Sequence, residues 1–329
     1  MGIRNRIIGT LLVALAAPAA FAAALPKAVE FPQRPVRLII PYAPGGATDT
    51  TARPLAEGLR QLWGQPVIVD NRPGASGNIA LDLVANSTAD GHTLFVGNVT
   101  TNAINEAIFK GSVRPTRDLT GVTNLIELPH IWAVSTAIPA SSLREFLDHA
   151  KKSPKPLNYA TSGVGSYPHL DTILLLTKAG VQMTHVPYKG GAGQMIPAMM
   201  GHEVQFMFIN LGNTISHVKA GRIKALATSW PTRRSELPEV PTVAEAGYPG
   251  MGTNAWNGLF APAKIPAPVL NRIFADVVKV METPATRDML GKSLMSVVVN
   301  KSPAEYQSFV LDQAQKWQKV VSDNNIKAE

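Results

Sequence analysis

The chain has no cysteine. That excludes disulfides, and it excludes lipid attachment at a cysteine. It has no block of five or more like charges, so it carries no nucleic-acid footprint. Beyond its first residues it has no apolar run long enough to span a bilayer. It has no G-x-G-x-x-G opening a helix and no G-x-x-x-x-G-K-[ST] loop, which argues against a nucleotide enzyme. No cluster among its seven histidines has metal spacing. Beyond its first residues no short repeat period or low-complexity tract is evident.

What is present begins with Arg4 and Arg6, the apolar stretch from Ile7 to Ala17, and small residues around Ala20 to Ala24. This reads as a cleaved secretion signal over residues 1–24. Its removal takes away two arginines and no acid, so the formal charge falls from +8 to +6. The remaining basic residues (Arg34, Arg60, Lys151, Lys219, Arg233 among them) are scattered and read as a solvated surface. About 300 mature residues suit two α/β lobes better than one.

Four times an apolar strand-like run enters a glycine-rich turn and then a helix pattern. The turns are Pro44-Gly45-Gly46-Ala47, Pro73 to Gly77, Ser162 to Ser166 and Lys189 to Gly193. Glycine allows the tight turn, and the helix behind it supplies unpaired N–H groups and a partial positive charge. Each turn is therefore a candidate anion cradle. Two lie near the start and two near the middle, as expected if two lobes clamp one anionic ligand.

Strands are expected at 36–43, 65–70, 93–97, 131–135, 157–161, 184–188, 204–209 and 225–228, with a return crossing at 252–261. Helices are expected at 48–63, 78–85, 143–152, 169–179, up to Met200, 269–281 and 303–322. The alternation of strands and helices implies a mostly parallel sheet, with ligand bound beyond the strands' carboxyl ends.

Eight stretches carry a family resemblance. They are YAPGGATD (42–49), NRPGASGNIA (71–80), ADGHTLFVGN (89–98), LNYATSGVGSYPHL (157–170), HVPYKGGAGQMIPAMMGHEVQFMF (185–208), HVKAGRIKALA (217–227), LPEVPTVAEAGYPG (237–250) and NAWNGLFAPAKIP (254–266). In this order and spacing the chain resembles the periplasmic solute-binding proteins of tripartite tricarboxylate transporters, the Bug family. The resemblance implies an α/β, type II periplasmic-binding fold with two hinged lobes and the cleft between them. It implies a monomer that hands a small carboxylate to membrane subunits. Lobe one is expected from 25–130 and 253–329, and lobe two from 131–252. Three positions depart from the family pattern: Ala80, Pro168 and Ile209. The last stands where an aspartate is frequent, which disfavours a ligand with an essential amino group.

The expected ligand residues are Tyr42, Gly45, Gly46, Ala47, Asp49, Asn98, Thr100, Thr101, Ser162, Gly163, Ser166, His169, Tyr188, Gly190, Gly191, Ala192 and Asn210. Asp49 has a competing reading as a first-turn acid paired with Arg53. Tyr42 either stacks on a ligand ring or packs in the core. Gly74 to Gly77 face the cleft or only turn the chain. Side chains at Gly46 and Gly191 are expected to weaken binding. No cofactor or metal is expected, and no enzyme. A hydrolase built on Ser166, His169 and Asp171 would crowd a triad into six residues without a G-x-S-x-G elbow. A sensor that signals to a membrane receptor is the alternative use of the same clamp.

Overall fold

The structure is a computed structural model that describes residues 30–111, 113–188, 191–324 and 326. The expected signal, Lys189 and Gly190 lie outside these. Eleven strands form two sheets. They are β1 (Val36–Ile40), β2 (Val67–Asn71), β3 (Thr93–Asn98), β4 (Leu119–Leu128), β5 (His130–Ser135), β6 (Leu157–Thr161), β7 (Met183–Pro187), β8 (Phe206–Asn210), β9 (Ile223–Thr228), β10 (Ala255–Pro262) and β11 (Ser296–Val297). The six-stranded sheet runs β11-β4-β10-β3-β1-β2, and the five-stranded sheet β7-β6-β8-β5-β9.

Both sheets are mixed, which corrects the expectation of a mostly parallel sheet. In the first, β1 pairs parallel with β2 and β3, but β10 runs antiparallel to β3 and β4. In the second, β6 pairs parallel with β7 and β8, while β5 is antiparallel to β8 and β9. The return crossing expected at 252–261 is β10, but local alternation does not reveal that it runs antiparallel to its neighbours. The ten-residue β4 was not foreseen at all.

Helices cover both faces of each sheet, so each lobe is a three-layer sandwich with apolar clusters on both sides of its sheet. The helix Ala47–Trp63 shows why. Ala52, Leu55, Ala56 and Leu59 recur at helical spacing and are buried. Each buried leucine contributes roughly 1.5–3 kcal/mol. The helix stops at Gly64, whose φ of 64° lets its N–H turn back to the Arg60 carbonyl.

Helix ends divide into two kinds. Ser142 caps the helix Leu143–Lys152, and Ser302 caps the helix Pro303–Asp323. Each accepts from a glutamate N–H three residues on, and that glutamate reaches back to a backbone N–H. The helices Ala47–Trp63, Tyr167–Ala179 and Ala192–Met200 have no side-chain cap. All three begin at the junction of the lobes.

Candidate ligand-binding cleft

A cleft of about 300 Å³ lies between the two sheets. Lobe one contributes Tyr42 to Thr48, Asn98, Thr100 and Leu128. Lobe two contributes His130, Ser162, Tyr167, Pro168, Gly191 to Gly193, Met195, Phe208 to Asn210 and Asn213. Among the described residues no Lys, Arg, Asp or Glu lines it. Larger hollows of about 520 and 430 Å³ lie elsewhere, and charged side chains such as Glu106, Lys110, Glu127 and Lys316 line them.

Four helix N-termini converge on the cleft, those of Ala47–Trp63, Tyr167–Ala179, Ala192–Met200 and Leu211–Lys219. The amides of Ala47, Thr48, Ala192 and Gly193 have no acceptor among the described residues. At the fourth terminus Asn210 accepts from the Asn213 N–H at 3.1 Å. Its Nδ2 is buried without a partner. Backbone donors, a side-chain amide and the helix dipoles thus replace fixed positive charge. The walls between them are apolar: Tyr42, Leu128, Tyr167, Met195, Phe208 and Ile209.

The structure brings ten of the expected residues to this cleft: Tyr42, Gly45, Gly46, Ala47, Asn98, Thr100, Ser162, Gly191, Ala192 and Asn210. Others stand behind it. Asp49 is buried, and its carboxylate accepts from Gly45 N–H (3.0 Å), Arg53 (2.8 and 2.9 Å) and Asn71 (3.1 Å). Burial raises its pKa, but these three partners outweigh that and leave it low. It shapes the Gly45 turn from below. Thr101 is buried and bonds to the Asn98 N–H and to Asn102, so it fixes Asn98.

In lobe two, Ser166 Oγ donates to the Gly163 carbonyl at 2.7 Å, which closes that turn on itself. His169 Nδ1 accepts from Gly165 N–H at 3.2 Å, and its ring stacks on His185 at 4.1 Å. Tyr188 accepts from Gly191 N–H through its carbonyl and packs its ring into the lobe-two core. Gly163, Ser166, His169 and Tyr188 therefore support the cleft without lining it. Gly190 lies outside the described residues. Asp171 bonds to Thr253 N–H at 3.1 Å, so Ser166, His169 and Asp171 have separate partners and form no relay.

Three of the four glycine turns reach the cleft, at 44–47, at Ser162 and at 191–193. The turn at 73–77 contacts the other lobe instead, where Ser76 Oγ donates to the Val164 carbonyl at 3.2 Å. Tyr167 N–H likewise donates across the lobes to Thr100 Oγ1 at 3.2 Å.

Sequence reading missed His130, Tyr167 and Phe208. The Tyr167 hydroxyl makes a short hydrogen bond with His130 Nε2. His130 Nδ1 lies 3.4 Å from the Leu128 carbonyl. A carbonyl only accepts, so Nδ1 holds the proton and Nε2 accepts from Tyr167. Burial pushes the His130 imidazole down to about 3, so the ring is neutral. Burial, with Tyr42 and Asp171 nearby, pushes the Tyr167 phenol well above its usual range. Only strand pairing could have found His130, which lies opposite Asn210 in the β5–β8 ladder.

Comparison with known proteins places this geometry. Residues 51–326 match the tripartite tricarboxylate transporter family receptor. BugT from Bordetella pertussis is 29% identical over 303 residues, 92% of each chain. A Rhodopseudomonas palustris structure with adipate superposes at a TM-score of 0.84 with 32% identity, covering 91% of this chain and 99% of that one. MatC from the same organism, with bound malate, gives 0.82 at 33% identity over 88% and 100%. The chain belongs to the tripartite tricarboxylate transporter receptor family, the family its motifs resemble.

Proposed function

We propose that this protein is exported by its N-terminal signal to the periplasm. There it captures a small organic carboxylate (dicarboxylate, tricarboxylate or aromatic carboxylate) and hands it to the membrane subunits of a tripartite tricarboxylate transporter. The observation that carries this reading is the convergence of four helix N-termini on a cleft that no charged side chain lines among the described residues. Uncapped amides at two opposed ends suit carboxylate oxygens, and the apolar wall between them suits a carbon skeleton. The relatives solved with adipate and malate support the ligand class. The ligand residues proposed are the ten expected ones that line the cleft, joined by His130, Tyr167 and Phe208.

A thermal-shift panel of carboxylates tests the reading. A ligand that binds only the folded state raises the melting temperature, by about 2.7 kcal/mol of stability at one hundred times Kd. At least one di-, tri- or aromatic carboxylate should do so. A flat response across all three classes, or turnover of any of them, would overturn the proposal.

A further inference from the structure

Tyr42 and Tyr167 both line the cleft, but their hydroxyls are held differently. The Tyr42 hydroxyl bonds to Asn98, 3.3 Å away, and to Thr100. Both partners belong to its own lobe, and each carries groups that can donate to the oxygen as well as accept its proton. Among the described residues the Tyr167 hydroxyl has one side-chain partner, His130 Nε2. The Leu128 carbonyl fixes the proton of His130 on Nδ1, so Tyr167 must donate to His130. Tyr167 lines the cleft, and among the described residues its oxygen keeps its lone pairs without a second side-chain partner.

Opposite His130 in the strand ladder stands Asn210, whose buried Nδ2 has no partner among the described residues. Lobe two therefore offers an acceptor from the helix Tyr167–Ala179, held by His130 of β5, and a donor from Asn210 of β8. A carboxylate only accepts, so it fits Asn210 Nδ2 and the helix amides and is repelled by Tyr167 Oη. A hydroxyl both donates and accepts. For a carboxylate to sit on Tyr167, the phenol proton would have to turn into the cleft. His130 would then have to move its own proton to Nε2 and abandon the Leu128 carbonyl, or gain a second proton while buried.

We infer that the His130–Tyr167 pair is a specificity element, in which Tyr167 Oη selects a ligand bearing a hydroxyl group in addition to its carboxylate. This rests on the carboxylate reading of the cleft. Tyr167 touches the ligand, and His130 is a positioning residue that acts through it.

Calorimetry on the purified protein with matched acids tests the pair: L-malate against succinate, citrate against tricarballylate, and 4-hydroxybenzoate against benzoate. In the pair whose skeleton the cleft accepts, the hydroxylated acid should bind at least about tenfold tighter, because its absence strands a buried acceptor. Tyr167→Phe, which removes only the oxygen, should bring the two acids within about threefold of each other. His130→Leu should erase the preference too, whereas His130→Gln, whose amide oxygen still accepts from Tyr167, should keep it. The ratio is the readout, since a purely structural role would weaken both acids alike. A preference that survives Tyr167→Phe, or a ratio unchanged in His130→Leu, overturns the inference. Equal affinities in the wild type overturn it alone, while failure of every acid to bind overturns it together with the carboxylate reading.

Discussion

Gly46 and Gly191 look equivalent in the sequence, but their backbones differ. Gly191 has φ 60° and ψ −141°, which L side chains rarely adopt. Gly46 has φ −77° and ψ 170°, ordinary extended backbone, and an added Cβ would meet only the Ala43 carbonyl at 3.8 Å. A valine at Gly191 should therefore cost about 1–3 kcal/mol of stability as well as affinity. A valine at Gly46 should leave the melting temperature unmoved and lower carboxylate affinity at least about tenfold, or ~1.4 kcal/mol. Unchanged affinity in Gly46→Val would remove that turn from the site. Asp49→Asn separates support from contact. It should cost about 1–2 kcal/mol in denaturant titration at pH 7, with the share from the half-exposed Arg53 discounted for screening. Affinity should stay within about twofold. Because the folded carboxyl titrates below its ordinary value, this stability is present above the unfolded pKa of about 3.9 and is lost as pH falls through the lower folded value. A tenfold loss of affinity at unchanged stability would return Asp49 to the ligand contacts.

The helix Tyr167–Ala179 links the cleft to the segment that crosses between lobes. Its first residues, Tyr167 and Pro168, line the cleft, and one turn later Asp171 holds the Thr253 N–H. Burial pushes the Asp171 carboxyl up to about 7, against the pull of Thr253 and Lys316. Between about pH 4 and 7 the folded state then keeps a proton that the unfolded state has released, so stability falls as pH rises through that window and levels off above it. Asp171→Asn removes this dependence. Its stability relative to wild type should improve from pH 4 to pH 8 by on the order of 4 kcal/mol, read from chemical denaturation at each pH. A constant difference across that range would show that Asp171 is ionised throughout. The same helix lacks a side-chain cap, and its first N–H reaches Thr100 in the other lobe. Away from the cleft, Ser142 and Ser302 cap their helices.

The two lobes together enclose a site with no acid on its walls among the described residues. Ile209 lies at the cleft, and Asp49 is turned away into Arg53 and Asn71. A desolvated ammonium needs an anion or a set of acceptors beside it. An α-amino acid should therefore bind at least about tenfold more weakly than its deaminated dicarboxylate analogue, as measured by calorimetry. The opposite ranking would show that acceptors in the cleft suffice for an amine, and Asp49 would be the first residue to re-examine.

The local signals in this chain were readable because they depend on near neighbours. The helices Asn78–Ala85 and Leu143–Lys152 match their apolar periodicity end to end, and glycine turns mark the cleft-facing loops at 44–47 and 191–193. Periodicity and turn chemistry act over a few residues, so one sequence carries them. Strand order and orientation do not: β4 and β10 pair residues more than a hundred positions apart, and nothing local announces that they run antiparallel. Side-chain direction was hidden for the same reason. Asp49, Thr101, Ser166 and His169 sit in the right segments, yet each satisfies a local backbone or side-chain partner behind the wall. His130 and Tyr167, 37 positions apart, meet only because β5 delivers one and the helix from Tyr167 the other to the same face of lobe two. Long-range packing alone could decide that encounter.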